Sequence, residues 1–374
     1  MGIIPAKFWP YTNALRGKLR PRPDFDAVAE EIEILAPAEP AQPRRRALLP
    51  GMVDRIQKVV DMADPVRTLA NVEAEHTPHM ATRRLLLRDV LLLPRGISTR
   101  GGNLNWSDSV KRYQPTPGPL PELDEAYYLE THQGYRFFAH WLVGLATHQY
   151  VPPGATAFHR GNARWPHMAL YRAVTGLGSA EQDVALVRRL QVIDELGFGT
   201  QRRRQMARMR ARVHRWLADP STAGDETAPD PATLARIGAG LAGRRVYLRR
   251  VNDGNFRREV ADEEALCEAL AREGFDIVDP ATLDGEGVLR RLAGAAITVT
   301  IEGSHAAHCS FALPPGALLI PLIPCDRFTA INAVRAEAMD CQAGLVVVER
   351  AADGGYRVWL DDILRTIDLA LTLR

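Results

Sequence analysis

The stretch Ala296-Ile297-Thr298-Val299-Thr300-Ile301, running on into Glu302-Gly303-Ser304-His305-Ala306-Ala307-His308, decides how the chain is read. Its first half is apolar and β-branched, which suits a buried strand, and the Gly-Ser pair turns it into a helix of small residues. In open α/β sheets, ligands gather at the carboxyl ends of the strands. A small-residue turn at such an end exposes the N–H groups of the next helix, and the helix dipole favours an anion there. Ser304 reads as the N-cap, its hydroxyl directed at the backbone or at a ligand phosphate. An ordinary strand–helix turn has the same local sequence, so the flanking segments carry the decision.

Those segments repeat the pattern. Upstream, Arg245-Val246-Tyr247-Leu248-Arg249 is a short β-prone run ended by the turn chemistry of Val251-Asn252-Asp253-Gly254-Asn255. Asp262–Arg272 has acidic residues first and Arg last, as the helix dipole prefers, and Gly274 stops it. A strand at Phe275–Val278, a helix at Asp284–Leu292 and a strand at Ala317–Ile323 complete the alternation. Strands separated by helices of this length predict βαβ units and a parallel, Rossmann-like sheet.

The rest of the chain is less regular. Leu85–Leu93 (LLLRDVLLL) predicts a strand, followed by a meander through Gly96 and Gly101-Gly102. Helices are expected at Phe137–His148, Asp183–Leu196 and Gln201–Leu217, the last with Met206, Met209, Val213 and Trp216 on one face. Its other surface carries seven Arg, read as a solvated face with a patch for acidic lipid or polymer as the alternative. Residues 36–50 read as an extended connector. The Pro-rich run ADPSTAGDETAPDP, 218–231, reads as an interdomain linker. The expected domains are therefore 1–230, on the acceptor side, and 231–374, on the donor side, with a C-terminal helix 358–373 packing back on the first.

Composition bounds the function. An apolar content of 46% with 25% charged residues is that of a globular protein, and 374 residues favour two domains. With 47 basic against 45 acidic side chains, nothing pulls the whole molecule toward nucleic acid. The four cysteines, Cys267, Cys309, Cys325 and Cys341, form no CxxC pair and are expected as reduced thiols. The first residues lack the apolar core of a signal peptide, and no run is long enough for a membrane span, so a cytosolic protein is expected. No Walker loop, GxGxxG, HExxH or GxSxG occurs, which argues against P-loop, dinucleotide, zincin and α/β-hydrolase chemistry.

The candidate site is drawn from three places. Arg249, Arg250, Arg257 and Arg258 flank the turn after the first strand of the parallel half, where guanidinium groups suit bidentate phosphate binding. Glu302, Gly303, Ser304, His305 and His308 follow the strand Ala296–Thr300; as a metal pair the two histidines lack a carboxylate at matching spacing. On the far side, His140 stands in an aromatic-rich helix behind the loop Glu130–Tyr135, and His140 or Glu130 could serve as a general base.

Taken together, these segments resemble glycosyltransferase family 61, in particular its bacterial-type members. Phe137–Leu142 (FFAHWL) is similar to the family's NYYHWL segment, Tyr247–Arg258 (YLRRVNDGNFRR) to its SR…R loop, and Gly274–Pro280 (GFDIVDP) to its GFxVVDP strand. Val299–Pro315 (VTIEGSHAAHCSFALPP) resembles its VxxEGSxxxHxxF helix entry, with Asp326-Arg327-Phe328 after the next strand. The resemblance implies a GT-B fold, two Rossmann-like domains facing a cleft. It implies an inverting transferase that takes a nucleotide sugar, with no metal and no cofactor beyond that donor, and a glycan or lipid-linked glycan as acceptor. Surface-polysaccharide assembly belongs to the same implication, and a cytosolic protein of this kind could make peripheral contact with the inner membrane. Carried over, Arg250 and Arg258 would meet the donor diphosphate, Glu302, Gly303 and Ser304 the nucleotide or phosphates, and His140 the acceptor. The alternatives are another GT-B-like enzyme, such as a polysaccharide pyruvyl transferase, and an inactive glycan- or sugar-nucleotide-binding relative.

Overall fold

The structure, a computed structural model, describes residues 5–19, 23–40, 45–60, 72, 79–94, 96–104, 114–115, 118–129, 134, 136–162, 165–195, 197–223, 243–250 and 258–373. The expectations for Glu130, Arg257, the turn 251–255, most of the loop 130–135 and the linker from 224 onward lie outside these residues. In chain order the first strands are β1 (Glu31–Ala36), β2 (Ala47–Leu48), β3 (Thr82–Leu93), β4 (Gly96–Ser98), β5 (Asn103–Leu104), β6 (Glu122–Tyr128), β7 (Ala157–Phe158) and β8 (Ala185–Asp194). They are followed by β9 (Arg245–Leu248), β10 (Phe275–Val278), β11 (Ile297–Ile301), β12 (Leu318–Pro324), β13 (Gln342–Arg350) and β14 (Tyr356–Arg357).

Two compact units are interleaved along the chain. Met1–Glu39, His79–Trp165 and Leu177–Arg202 make the first, and Pro40–Pro78, Pro166–Gly176 and Arg203–Arg374 the second. The helices His167–Thr175 and Thr200–Ala218 precede the Pro-rich run, yet they belong wholly or mostly to the second unit.

The first unit is built on a sheet of order β5-β4-β3-β8-β6-β7, with β1 also on β3. This sheet is mixed rather than the parallel sheet of a Rossmann-like half: β3 runs antiparallel to β1, β4 and β8, and only β6 is parallel to its neighbours β7 and β8. The β3–β4 hairpin forces part of this, since a short connection can only join antiparallel strands. The helix expected at Asp183–Leu196 is instead β8. Val184, Val187, Val192 and Ile193 are β-branched, and pairing with both β3 and β6 buries the strand, so tertiary context overrides the helical spacing.

The second unit answers the sequence closely. Five parallel strands stand in the order β10-β9-β11-β12-β13, edged by the short antiparallel β14 and by β2, which is parallel to β13. The chain leaves β9 for β10, then returns across β9 to start β11 and moves the other way. Consecutive right-handed crossovers in opposite directions place their helices on opposite faces. Accordingly, Glu263–Arg272 neighbours the C-terminal helix Leu360–Thr372, while Gly285–Leu292 neighbours Ala307–Ala312. The C-terminal helix buries Ile363, Ile367 and Ala370 in the core of its own unit, beside Leu345 and Val347 of β13.

The Arg-rich helix Thr200–Ala218 is not the solvated face that its composition suggests. Met206, Met209 and Val213 are buried as expected, but so are Arg202, Arg210, Arg212 and His214. Three of them, Arg210, Arg212 and His214, hold the carboxyl ends of other helices. Arg212 donates to Thr175 O at the end of His167–Thr175, His214 Nε2 to Ala312 O at 2.8 Å, and Arg210 to Met339 O at 2.6 Å, just past Ile331–Ala338. A helix end leaves carbonyls without partners and carries partial negative charge; each of these donors satisfies a carbonyl, and the two guanidinium groups also answer the charge. Arg204 and Arg208 remain exposed, too few for the acidic-polymer patch.

Candidate active site

The strand order reverses between β9 and β11, and the carboxyl ends at such a reversal are where ligands bind in open α/β sheets. Arg249 and Arg250 follow β9, and Glu302-Gly303-Ser304 follows β11, so the two loops singled out in the sequence open at the same place. Their side chains converge. Arg250 Nη1 donates to Glu302 O at 3.1 Å, and Arg258 Nη1 donates to the same carbonyl at 2.8 Å. Arg258 Nη1 also lies 2.9 Å from Glu302 Oε2, in an ion pair whose two side chains are both buried.

One carboxylate faces more than one cation here. Burial pushes the Arg258 guanidinium down to about 10, Glu302 opposes that shift, and the nearby Arg250 and Arg327 add to it. Among the described residues, Arg250, Arg258 and Arg327 gather near the Glu302 carboxylate, and guanidinium groups gathered in this way suit the binding of an anion. The scaffold that presents them is shared. Backbone bonds tie β14 to the chain just after Arg258, from Tyr356 N to Glu259 O and from Ala261 N to Tyr356 O, both 2.8 Å. From the same strand Tyr356 OH donates to Asp326 at 2.9 Å, and Arg350 of β13 reaches Asp326 at 2.8 Å, fixing the turn that carries Arg327.

Gly303 occupies the point of closest approach. Its backbone is extended (φ 170°, ψ 172°), so conformation does not demand glycine; space does. A Cβ there would lie 2.8 Å from His305 Nδ1 and 2.9 Å from Arg250 Nη1. Gly303→Ala is therefore expected to leave folding nearly intact, within ~1 kcal/mol, because flexible side-chain ends can move aside. It should displace Arg250 and weaken anion binding at least about fivefold, as calorimetric titration with a nucleoside diphosphate would show. Ser304 opens the short turn Ser304–Ala306, and the N-cap position belongs to Gly303, not to Ser304. No described residue accepts or donates a hydrogen bond at the Ser304 hydroxyl.

The histidines divide. His305 Nε2 meets Thr300 Oγ1 at 2.8 Å, and that hydroxyl donates to Leu248 O at 2.8 Å, which makes the imidazole the donor and puts its proton on Nε2. Burial, then Arg250, His308 and Arg258, hold its pKa well below the usual value, so the ring is neutral and turns Nδ1 toward Gly303. His308 is packed in the interior. Its Nδ1 is bonded to Tyr171 OH at 2.8 Å, with the rings stacked and His167 edge-on. Burial, aided by His167, pushes His308 down to about 3, and burial pushes His214 down to about 4.

Both rings take up protons in the unfolded chain near pH 6.5 but not in the folded one. Their stabilising contribution is complete above that pH and falls as pH drops toward the folded values. Each should cost ~1.4 kcal/mol per pH unit in that window. Urea melts at pH 7.5 and 5.5 check this, and His214→Gln should remove part of the slope.

Other expected residues lie elsewhere. Arg249 turns away from Arg250 and pairs with Glu263 at 3.1 Å and Glu264 at 2.7 Å, fastening β9 to the helix Glu263–Arg272. His140 sits half-buried in the helix Phe138–Gly144 of the first unit, its ring 6.0 Å from that of Phe137. Arg327 is the site residue that sequence reasoning passed over as a candidate; its position directly after β12 was the available signal. Among the described residues no group of three or more His, Cys, Asp or Glu is placed to hold a metal ion. Again among these, no helix is long and apolar enough to cross a membrane. All four cysteines are free and buried.

Comparison with curated proteins gives no match. The family model Glycosyltransferase 61, by contrast, matches residues 137–320, a stretch that holds His140, the Arg250–Arg258 loop and the Glu302-Gly303-Ser304 turn. The matched stretch, just under half of the chain, is similar to the glycosyltransferase 61 family, the family its sequence motifs resemble.

Proposed function

We propose that the protein is a metal-independent, inverting glycosyltransferase that transfers a sugar from a nucleotide-sugar donor to a glycan acceptor. The observation that carries this reading is the pair of guanidinium groups, Arg250 and Arg258, meeting on the Glu302 carbonyl at the reversal of the strand order. A transferase without a metal must stabilise the departing diphosphate with fixed cations and backbone N–H groups, and this edge of the sheet offers both. Arg250 and Arg327 supply charge to the phosphates. Arg258, paired with Glu302, supplies less net charge but holds the turn in shape. Gly303 keeps the floor low enough for a phosphate to approach, and the Ser304 hydroxyl adds a donor.

Inversion needs one base on the acceptor side, and His140 of the first unit is assigned that role because a neutral imidazole accepts a proton near working pH. The acceptor in this reading is a surface glycan or a lipid-linked glycan precursor. A thermal-shift panel of UDP, GDP, CMP and their sugars, run with and without EDTA, tests the proposal. A cognate nucleotide at 100 times its Kd should stabilise the protein by about 2.7 kcal/mol, unchanged by EDTA. Failure of every nucleotide to raise the melting temperature would overturn the donor assignment, and loss of the shift in EDTA would overturn metal independence.

A further inference from the structure

The first unit carries an exposed apolar stripe on its N-terminal helix. One side of the helix Trp9–Arg16 is locked down: Trp9 packs against Leu91 and Leu93, and Asn13 Nδ2 donates to Thr99 O at 2.7 Å and Ser98 Oγ at 3.1 Å. Asn103 Nδ2 returns a bond to Pro10 O at 3.1 Å. These anchors determine which side faces outward. On that outer side Phe8, Leu15 and Leu19 are 42%, 65% and 86% exposed. Their spacings of seven and four residues put them along one stripe of a helical path.

The described residues of this segment, 5–19, contain the cations Lys7, Arg16 and Lys18 and no Asp or Glu. Arg100 lies alongside, its carbonyl accepting from Arg16 Nη1 at 3.2 Å and its guanidinium 5.9 Å from the Trp9 ring. Apolar side chains left in water on a rigidly held element, with Lys7, Arg16, Lys18 and Arg100 beside them, match an interfacial membrane site. The long stems of Lys and Arg can lie along the apolar layer while their charges stay among anionic headgroups.

We propose that this face docks the protein on a bilayer containing anionic phospholipid, with Phe8, Leu15 and Leu19 entering the interface and the flanking cations meeting the headgroups. The full chain should co-sediment with vesicles of phosphatidylcholine carrying about a third phosphatidylglycerol, and much less with phosphatidylcholine alone. Salt of about 0.5 M should weaken the binding, since screening shortens the reach of the cations. A Leu15→Glu/Leu19→Glu double variant should bind at least about tenfold more weakly while keeping the wild-type circular dichroism and melting temperature, because both side chains are already in water. The proposal falls if the wild type ignores anionic vesicles, if it binds neutral ones equally well, or if the double variant binds as tightly as the wild type. It also falls if light scattering shows a wild-type dimer that the double variant breaks, since the stripe would then be a contact between copies of the chain.

Discussion

Arg250→Ala is expected to lower kcat/KM for sugar transfer by about 10²- to 10³-fold, the loss usual when one preorganised donor to developing charge is removed. Its origin is geometric. Arg250 Nη1 lies against the Glu302 carbonyl and within 2.9 Å of where a Gly303 Cβ would stand, so it borders the space at the end of the switch-point strands. Arg250 is half-buried, and its loss should change stability by less than ~1 kcal/mol. Binding of the nucleoside diphosphate product, read by calorimetry, should weaken in parallel, because the charge acts on the phosphates in both states. Arg250→Lys should recover part of the loss, since it keeps the charge but not the forked geometry. An Arg250→Ala enzyme that bound and turned over like the wild type would remove the diphosphate from this site. Arg258→Ala is a poorer probe: it leaves the buried Glu302 carboxylate without its partner, and breaking such a pair destabilises by about 3–5 kcal/mol on its own.

Outside the candidate site, the largest expected effect on stability comes from Arg212→Ala. Arg212 is buried and donates to the carbonyl of Thr175, itself buried at the end of the helix His167–Thr175. Truncation removes that bond, leaves a helix-end carbonyl without a partner and opens a void along the lost stem. An unsatisfied buried carbonyl costs about 1–3 kcal/mol, and the void adds to it, so a loss of about 2–4 kcal/mol in urea unfolding is expected. Relief of the buried charge offsets part of this, which sets the upper end of the range. Arg204→Ala on the same helix is the control: its side chain is exposed, and the change should stay within ~0.5 kcal/mol. Equal effects of the two substitutions would show that the helix is held by its apolar face alone.

Composition alone misjudged that helix because arginine reads as solvent-facing wherever it occurs. A guanidinium can equally close the carboxyl end of a neighbouring helix, and the neighbours here come from distant parts of the chain, at Thr175, Ala312 and Met339. The same limit applies to β8. The stretch 183–196 around it satisfies a helical spacing and a strand spacing about equally, and only pairing with β3 and β6 selects the strand.

What the sequence by itself determined was the parallel half. Short β-branched runs, acidic helix starts and glycine stops are local signals, and the local structure they demand is what forms: Phe275–Val278 is the strand as read, and Glu263–Arg272 and Gly285–Leu292 are the helices within a residue. It also set out the chemistry, a Gly-Ser turn after one strand and arginines after another. Tertiary structure alone decided which of those groups meet. The strand order β10-β9-β11 is non-local, and it brings Arg250, Arg258 and Glu302 to one edge. Alternation along an extended backbone sends neighbouring side chains to opposite faces, so Arg250 turns to the Glu302 carbonyl while Arg249 pairs with Glu263. Nothing in the composition of Arg249-Arg250 distinguishes the two; the sheet does, because it fixes which face of the strand end looks toward the Glu302 turn and which toward the covering helix.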